Sequence, residues 1–285
     1  MAYEKRLDRR NPGCILFLVD QSGSMEEPIA GEPRPKSEVV ADALNELLYN
    51  LVLRCVKGES EKPRHYYDIG MIGYGATVGP GFGGHLAGRD LVSIVDVADY
   101  PLEVVERETV SLPGAGADAA TVPRRQKFPV WIRPAAGGLT PMCAAMDRAG
   151  GVLASWVQAH PGSFPPIVFN ISDGNATDGD PRVWARRLMS LGTQDGNVLL
   201  FNLNVSALPA QTLYFPHDPA VLDNDYARLL FEMSSVLPPF MVEVCHQMQI
   251  PTPPGARGFV YNADSSAMVH FLRIGSDTAS PTEVR

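Results

Sequence analysis

The chain has little positive charge. It carries 24 Lys and Arg residues against 32 Asp and Glu among 285 residues, which gives a formal net charge of −8 and a sequence pI near 5.3. No run of basic residues interrupts this balance. Because phosphate backbones and anionic lipid surfaces attract basic patches, we expect neither a nucleic acid nor a membrane as a partner.

The N-terminal region lacks the long apolar run of an export signal or a membrane anchor. Its first ten residues are rich in charge, and the apolar run that follows, residues 14–19, is shorter than a signal peptide or a transmembrane helix requires. The sequence therefore predicts a cytoplasmic protein.

Cysteine is scarce and has no pairing pattern. The four cysteines stand far apart inside apolar stretches, with no CxxC pair and no histidine at zinc-ligand spacing. They are predicted to be reduced residues of the core. These residues are Cys14, Cys55, Cys143 and Cys245.

Several motifs of catalysis and nucleotide binding are missing as well. The sequence has no GK[ST] phosphate loop, no HExxH zinc motif and no GxSxG nucleophile elbow. Residues 79–84 formally fit GxGxxG, but the residues after them open no helix whose N-terminus could hold a pyrophosphate. We therefore expect no bound nucleotide cofactor.

The chain does contain enough apolar sequence for a large core. With 285 residues and 45% hydrophobic content, it fits one α/β domain spanning residues 1–285. The core is expected over about 12–275, with an insertion at 100–134 and a frayed tail at 276–285.

Strand and helix patterns alternate along this core. Apolar runs predict strands at 14–19, 66–75, 91–97, 167–173, 197–205 and 257–261. Apolar periodicity predicts helices at 40–55, 142–157, 181–191, 223–237, 240–248 and 265–274. Residues 103–112 fit a strand or a helix, and 113–123 fit a loop. The alternation predicts an α/β fold with a doubly wound, mostly parallel sheet, one antiparallel edge strand at 91–97, and helices on both faces.

Oxygen-bearing side chains follow two of the predicted strands. Asp20, Ser22 and Ser24 come after the first strand at alternate positions, which point the same way in extended chain. Thr140 lies in a Gly-rich loop just before a helix, and Asp173 ends a later strand. Ligands of open α/β sheets bind at the carboxyl ends of strands, and oxygen ligands suit Mg²⁺ or Mn²⁺.

Each of these residues also has an ordinary structural interpretation. Asp20 or Asp173 alone could cap the next turn, and Ser22 and Ser24 could be turn residues. Thr140 alone could cap a helix. The combination of three segments in this order is what favours a metal site.

The set Asp20, Ser22, Ser24, Thr140 and Asp173 resembles the metal-ion-dependent adhesion site of the von Willebrand factor A family. The resemblance covers nearly the whole chain, including the Thr in a Gly-rich loop and the order of strands and helices. It implies that Ser22, Ser24 and Thr140 bind Mg²⁺ (or Mn²⁺) directly, while Asp20 and Asp173 act mainly through bound waters. It also implies a doubly wound fold of the Rossmann-like type.

The resemblance further implies a non-enzymatic interaction module. Neutral hydroxyls on the metal leave its charge poorly quenched, so the expected external ligand is a Glu or Asp carboxylate of a partner protein. Size and the lack of an export signal resemble the bacterial, intracellular proteins associated with tellurium resistance. Other members of this set work with AAA+ ATPases or with protein kinases and phosphatases.

A rival hypothesis is a Mg²⁺-dependent phosphohydrolase that uses a strand-end Asp as nucleophile. Haloacid-dehalogenase-like sites of this kind need a second acid two residues after the first, and here that position is Ser22. The sequence also suggests no lysine near the other strand ends that could stabilise a phosphoryl group.

Overall fold

The computed structural model describes residues 3–58, 61–110, 123–207 and 211–277. Its strands, in chain order, are β1 Gly13–Asp20, β2 Tyr67–Tyr74, β3 Val78–Pro80, β4 Leu91–Ser93, β5 Glu103–Val110, β6 Pro123–Val130, β7 Ile167–Ser172, β8 Gly192–Thr193, β9 Gly196–Asn197, β10 Leu199–Val205, β11 Leu213–Tyr214 and β12 Phe259–Ala263. Its α-helices are α1 Lys36–Arg54, α2 Ile94–Asp99, α3 Met142–Ala159, α4 Arg182–Ser190, α5 Asp225–Met233, α6 Pro239–Gln247 and α7 Ser265–Asp277.

An eight-stranded mixed sheet forms the centre of the molecule. Seven strands follow the order β11-β12-β10-β7-β1-β2-β3, and β4 also pairs with β2. The five long strands β2, β1, β7, β10 and β12 run parallel to one another. The carboxyl ends of β1 and β7 therefore lie side by side.

Both faces of the sheet are covered. Along β1, Phe17 and Val19 join an apolar cluster with α1, α6 and α7, whereas Leu16 and Leu18 join a second cluster with α3, α4 and α5. All eight residues of β1 are buried. This explains why the strand reads as a continuous apolar run rather than an alternating one.

The prediction for residues 91–97 is partly wrong. Residues 91–93 pair antiparallel with β2 as expected, but the chain then turns into α2. The Ser93 hydroxyl accepts a hydrogen bond from the Asp96 N–H at 3.1 Å, which caps the helix and ends the strand. In addition, β3 and β11 are antiparallel, so the described sheet has three antiparallel strands rather than one.

The segment between residues 100 and 134 contributes a separate hairpin. Its strands, β5 and β6, pair with each other in an antiparallel ladder and lie apart from the main sheet. The Asn45 side chain on α1 holds the chain just after β6, since it accepts from the N–H groups of Trp131 and Ile132 and donates to the Ile132 carbonyl. The strand alternative is thus correct for residues 103–110. Residues 111–112 and the loop predicted at 113–123 lie outside the described residues, except for Pro123, which begins β6.

The cysteine prediction is confirmed: all four cysteines are buried and free. Among the described residues, no helix is both long enough and apolar enough to cross a membrane. The prediction of a frayed tail at 276–285 is wrong for its first two residues, because α7 continues to Asp277. Residues 278–285 lie outside the described ranges.

Candidate metal centre

Two neighbouring parallel strands deliver the carboxylates of the candidate site. Val19 pairs with Ile171 between β1 and β7, so the next residues, Asp20 and Ser172, end the two strands side by side. Asp173 follows directly. The side chain of Asp173 is 1% exposed, and Asp20 is buried to the same degree.

The two serines meet through a turn that sequence reasoning missed. The backbone is extended at Ser22, but a 3-10 helix over Gly23–Glu26 then carries Ser24. The hydroxyl oxygens of Ser22 and Ser24 lie 3.1 Å apart, and the Ser24 hydroxyl donates to Asp173 Oδ1 at 2.7 Å. The side chains of Ser22 and Ser24 lie close together, as expected. The 3-10 helix brings them together, however, and not a continued extended chain.

Both carboxylate oxygens of Asp20 accept hydrogen bonds from the protein. Oδ1 accepts from the Ser22 N–H at 2.8 Å, and Oδ2 accepts from the Ser172 hydroxyl at 2.7 Å. The Tyr226 hydroxyl on α5 donates in turn to Ser172 Oγ at 3.0 Å. Burial raises the pKa of Asp20, and the nearby charge of Asp173 adds to this, while the hydrogen bonds oppose it.

Thr140 is buried and fixed by its backbone. Its N–H donates to Thr177 Oγ1 at 3.0 Å, and its carbonyl accepts from the Thr177 N–H at 2.9 Å. Its hydroxyl oxygen and that of Ser24 lie 3.9 and 4.0 Å from the point where a Cβ on Gly174 would sit. A Cβ at Gly174 would therefore contact both hydroxyls.

Thr140 does not cap helix α3. The Asp178 carboxylate accepts from the Cys143 and Ala144 N–H groups, at 3.1 and 2.9 Å, and takes that role instead. The ordinary interpretation of Thr140 is therefore wrong. The polar loop after Asp173, through Thr177 and Asp178, is what holds the Thr140 loop and the start of α3 in place.

A buried lysine at the site was not anticipated. Lys36, the first residue of α1, places Nζ 2.5 Å from Asp173 Oδ2 and 3.0 Å from Glu27 Oε2, and its side chain is 3% exposed. The expectation that no lysine lies near the other strand ends is therefore wrong. Nothing in the local sequence signals this contact, because it joins residues 137 positions apart.

The candidate donors are carboxylate and hydroxyl oxygens, the type of ligand that Mg²⁺ and Mn²⁺ prefer. The hydroxyl oxygens of Ser22 and Ser24 are 3.1 Å apart and contact each other through a hydrogen bond. Within the described ranges, no three His, Cys, Asp or Glu residues cluster as metal ligands. The candidate site instead combines carboxylates with hydroxyls, as hard cations accept.

Comparisons with known proteins give only distant likenesses. No family model matches the sequence, and no curated protein matches it. Similar solved structures include proximal thread matrix protein 1 from the mussel byssus, with 14% identity over 97% of this chain and 49% of that chain at a TM-score of 0.45. They also include the pilus adhesin SpaC of Lactobacillus rhamnosus GG, at 12% identity, 96% and 31% coverage and TM-score 0.46. A third is the minor pilin PilB of Streptococcus sanguinis, at 8% identity, 95% and 62% coverage and TM-score 0.46. The chain thus spans less than two thirds of each of these proteins.

Proposed function

We propose that the chain is a metal-dependent interaction module of the von Willebrand factor A type. Its site, formed by Asp20, Ser22, Ser24, Thr140 and Asp173, would hold Mg²⁺ or Mn²⁺ and accept a Glu or Asp carboxylate from a partner protein. The module has no catalytic role of its own in this proposal.

The observation that carries the proposal is the contact chain from Ser22 through Ser24 to Asp173. It joins the turn after β1 to the residue after β7 by steps of 3.1 and 2.7 Å. Two hydroxyls that contact each other beside two buried carboxylates form a cluster of oxygen donors that a hard cation accepts.

The hydroxyl and carboxylate residues of the site would have different roles. Ser22, Ser24 and Thr140 would supply neutral oxygens, and a bound cation would supply the positive charge that attracts an external carboxylate. Asp20 keeps its contacts to the Ser22 N–H and to Ser172, which hold it still. Asp173 accepts a hydrogen bond from the Ser24 hydroxyl, which fixes the orientation of the Ser24 side chain.

The surroundings of the site support a docking role. Leu139, next to Thr140, is 69% exposed, so a partner that reaches the site would also meet an apolar side chain. The sheet order, with helices packed on both faces, supports the finer assignment as a doubly wound, Rossmann-like domain. We place the protein in the bacterial cytoplasm, in a complex of the tellurium-resistance type, with an AAA+ ATPase or a kinase or phosphatase as the partner class.

The test is an affinity capture from native lysate with the wild-type chain and Thr140→Ala, each in Mg²⁺ and in EDTA. Thr252→Ala is the control, because Thr252 lies in the loop after α6 and its hydroxyl donates to the Ile250 carbonyl rather than to a residue of the candidate site. The proposal predicts a protein retained by the wild type and by Thr252→Ala in Mg²⁺, and lost in EDTA and in Thr140→Ala. Equal retention under all conditions would contradict it.

One observation favours the rival phosphohydrolase. Lys36 lies at Asp173, where a lysine could stabilise a phosphoryl group. Against this, the residue two positions after Asp20 is Ser22, so the second acid is missing, and Lys36 already contacts Asp173 and Glu27. Hydrolysis of p-nitrophenyl phosphate by the wild type, lost in Asp20→Asn, would establish the rival.

A further inference from the structure

Lys36 stands where the physics of helices and cores disfavours a lysine. It is the first residue of α1, where the helix dipole repels a cation, and its side chain is 3% exposed. A buried ammonium group is tolerated only when it is paired and hydrogen-bonded. The ion pairs that Lys36 forms must therefore offset the cost of burying its ammonium group.

The loop before α1 holds Lys36 in this position. The Lys36 N–H donates to the Glu27 carbonyl at 2.9 Å, while the Nζ of the same residue contacts the Glu27 carboxylate. Pro28 and Pro35, the residues next to Glu27 and Lys36 inside the loop, form a β-bridge. The ammonium group is thus aimed at Asp173 by a closed loop rather than by a freely rotating chain.

The two oxygens of Asp173 are divided between different partners. Oδ1 accepts from Ser24, on the side of the candidate ligands, and Oδ2 contacts the Lys36 ammonium group. One oxygen is therefore neutralised before any cation arrives. Asp20 and Asp173 are both buried carboxylates, and Lys36 offsets the charge of one of them.

We infer that Lys36 is a built-in cation that holds Asp173 in place when no metal is bound and that lowers the affinity of the site for divalent cations. This inference rests on the proposed function, because it concerns the same site. Counted over the buried groups Asp20, Asp173 and Lys36, a bound divalent cation keeps one net positive charge toward an incoming carboxylate. Glu27 also contacts Lys36, but its side chain is 61% exposed, so solvent screens its charge. Without Lys36, Asp20 and Asp173 together would neutralise the cation.

The experiment titrates Mn²⁺ into the EDTA-treated full chain at fixed pH, following the electron paramagnetic resonance signal of free Mn²⁺, and measures Tm in EDTA. Lys36→Met removes the charge and keeps the length of the side chain. We expect its Mn²⁺ affinity to rise by at least about tenfold and its Tm in EDTA to fall. Lys36→Arg keeps the charge and should bind Mn²⁺ within about threefold of the wild type.

Lys62→Met is the control for a general change of charge, because Lys62 is 79% exposed in its pair with Asp99. It should leave both the affinity and the Tm unchanged. A side chain that only supports the fold would lower the Tm in Lys36→Met without raising Mn²⁺ affinity, and that result would overturn the inference. If Lys36→Met does not fold in EDTA, the inference requires that Mn²⁺ restore cooperative unfolding, and failure of Mn²⁺ to do so would also overturn it.

The same data separate this inference from the proposed function. Saturable Mn²⁺ binding by the wild type, with no gain in Lys36→Met, would leave the metal site standing and remove the role of Lys36. Binding by Lys36→Met but not by the wild type would support the role of Lys36 and contradict a metal-dependent function of the native chain. Binding by neither would contradict both.

Discussion

The Ser24 hydroxyl donates a 2.7 Å hydrogen bond to Asp173 Oδ1, across 149 residues of sequence. This contact links the turn after β1 to the end of β7. The other oxygen of the same carboxylate, Oδ2, accepts a hydrogen bond from the Lys36 ammonium group. Contacts within the protein therefore hold these side chains together. Side chains that are held in this way lose less conformational freedom when a ligand binds.

Asp20→Asn separates the stability of the metal-free chain from metal binding. Because burial raises the pKa of Asp20, the ionised carboxylate costs folding free energy near neutral pH, and removing its charge relieves that cost. We expect a Tm in EDTA at least as high as that of the wild type, together with loss of any increase caused by Mg²⁺. Thr140→Ala, which truncates a buried side chain, should instead lose about 1 kcal/mol of unfolding free energy. Equal losses of Tm in EDTA for the two variants would contradict this account.

The main sheet and most of the site follow from local sequence. The run that forms β1 is apolar throughout because both of its faces are buried, and the oxygen ligands stand directly at the strand ends. The sequence left β5 open as a strand or a helix and did not reveal its partner β6, because residues 125–127 of β6 are polar and exposed and leave no apolar alternation. The contact between Lys36 and Asp173 could not be predicted for a different reason. It depends on how segments that are distant in the sequence pack against each other.

Asp178→Ala should weaken the start of α3 and loosen the Thr140 loop. The variant leaves the Cys143 and Ala144 N–H groups without the carboxylate that accepts from them. Because loss of such a cap costs about 1 kcal/mol, we expect urea denaturation to show an unfolding free energy about 1 kcal/mol lower for this variant. Asp225→Ala is the control, since Asp225 is fully exposed in a surface pair with Arg228, and it should change the value by less than about 0.5 kcal/mol. An equal effect of both variants would argue against the capping role of Asp178.

Asn45→Leu tests how the chain after β6 is attached to α1. The substitution removes the acceptor of the buried N–H groups of Trp131 and Ile132. Leaving such groups unsatisfied costs about 1–3 kcal/mol each, so we expect a loss of about 2–4 kcal/mol in urea denaturation. Asn50→Leu changes an exposed position on the same helix and should have little effect. A loss below about 1 kcal/mol for Asn45→Leu would show that this attachment is weak.

A pH-dependent pair lies near the start of β2. His65 Nε2 is 2.7 Å from Asp68 Oδ1, and the Trp156 indole N–H donates to Asp68 Oδ2 at 2.9 Å. The hydrogen bond to Asp68 raises the pKa of His65 despite partial burial. Burial alone would raise the pKa of Asp68, but the hydrogen bonds from His65 and Trp156 outweigh it and lower that pKa.

The sign of each shift defines a pH window for this pair. The contribution of His65 is present below its ordinary pKa of 6.5 and is lost as the pH rises through its higher folded value. The contribution of Asp68 is present above its ordinary 3.8 and is lost as the pH falls through its lower folded value. The difference in unfolding free energy between the wild type and His65→Gln should therefore be largest near about pH 5–6 and shrink by about pH 8.5, and it should stay under about 1 kcal/mol because His65 is partly exposed. His270→Gln, at an exposed position on α7, should give a difference that does not depend on pH, and a flat difference for His65→Gln would rule out the pair.

The most direct test of the account is a calorimetric titration of Mn²⁺ into the EDTA-treated chain, with Mg²⁺ as competitor. Ser24→Ala removes the hydroxyl that lies between Ser22 and Asp173, while Ser155→Ala removes an exposed hydroxyl that donates only to a carbonyl within α3. The account predicts one saturable Mn²⁺ site per chain in the wild type and in Ser155→Ala, displaced by Mg²⁺ and lost in Ser24→Ala. No saturable binding in the wild type, or unchanged binding in Ser24→Ala, would contradict it.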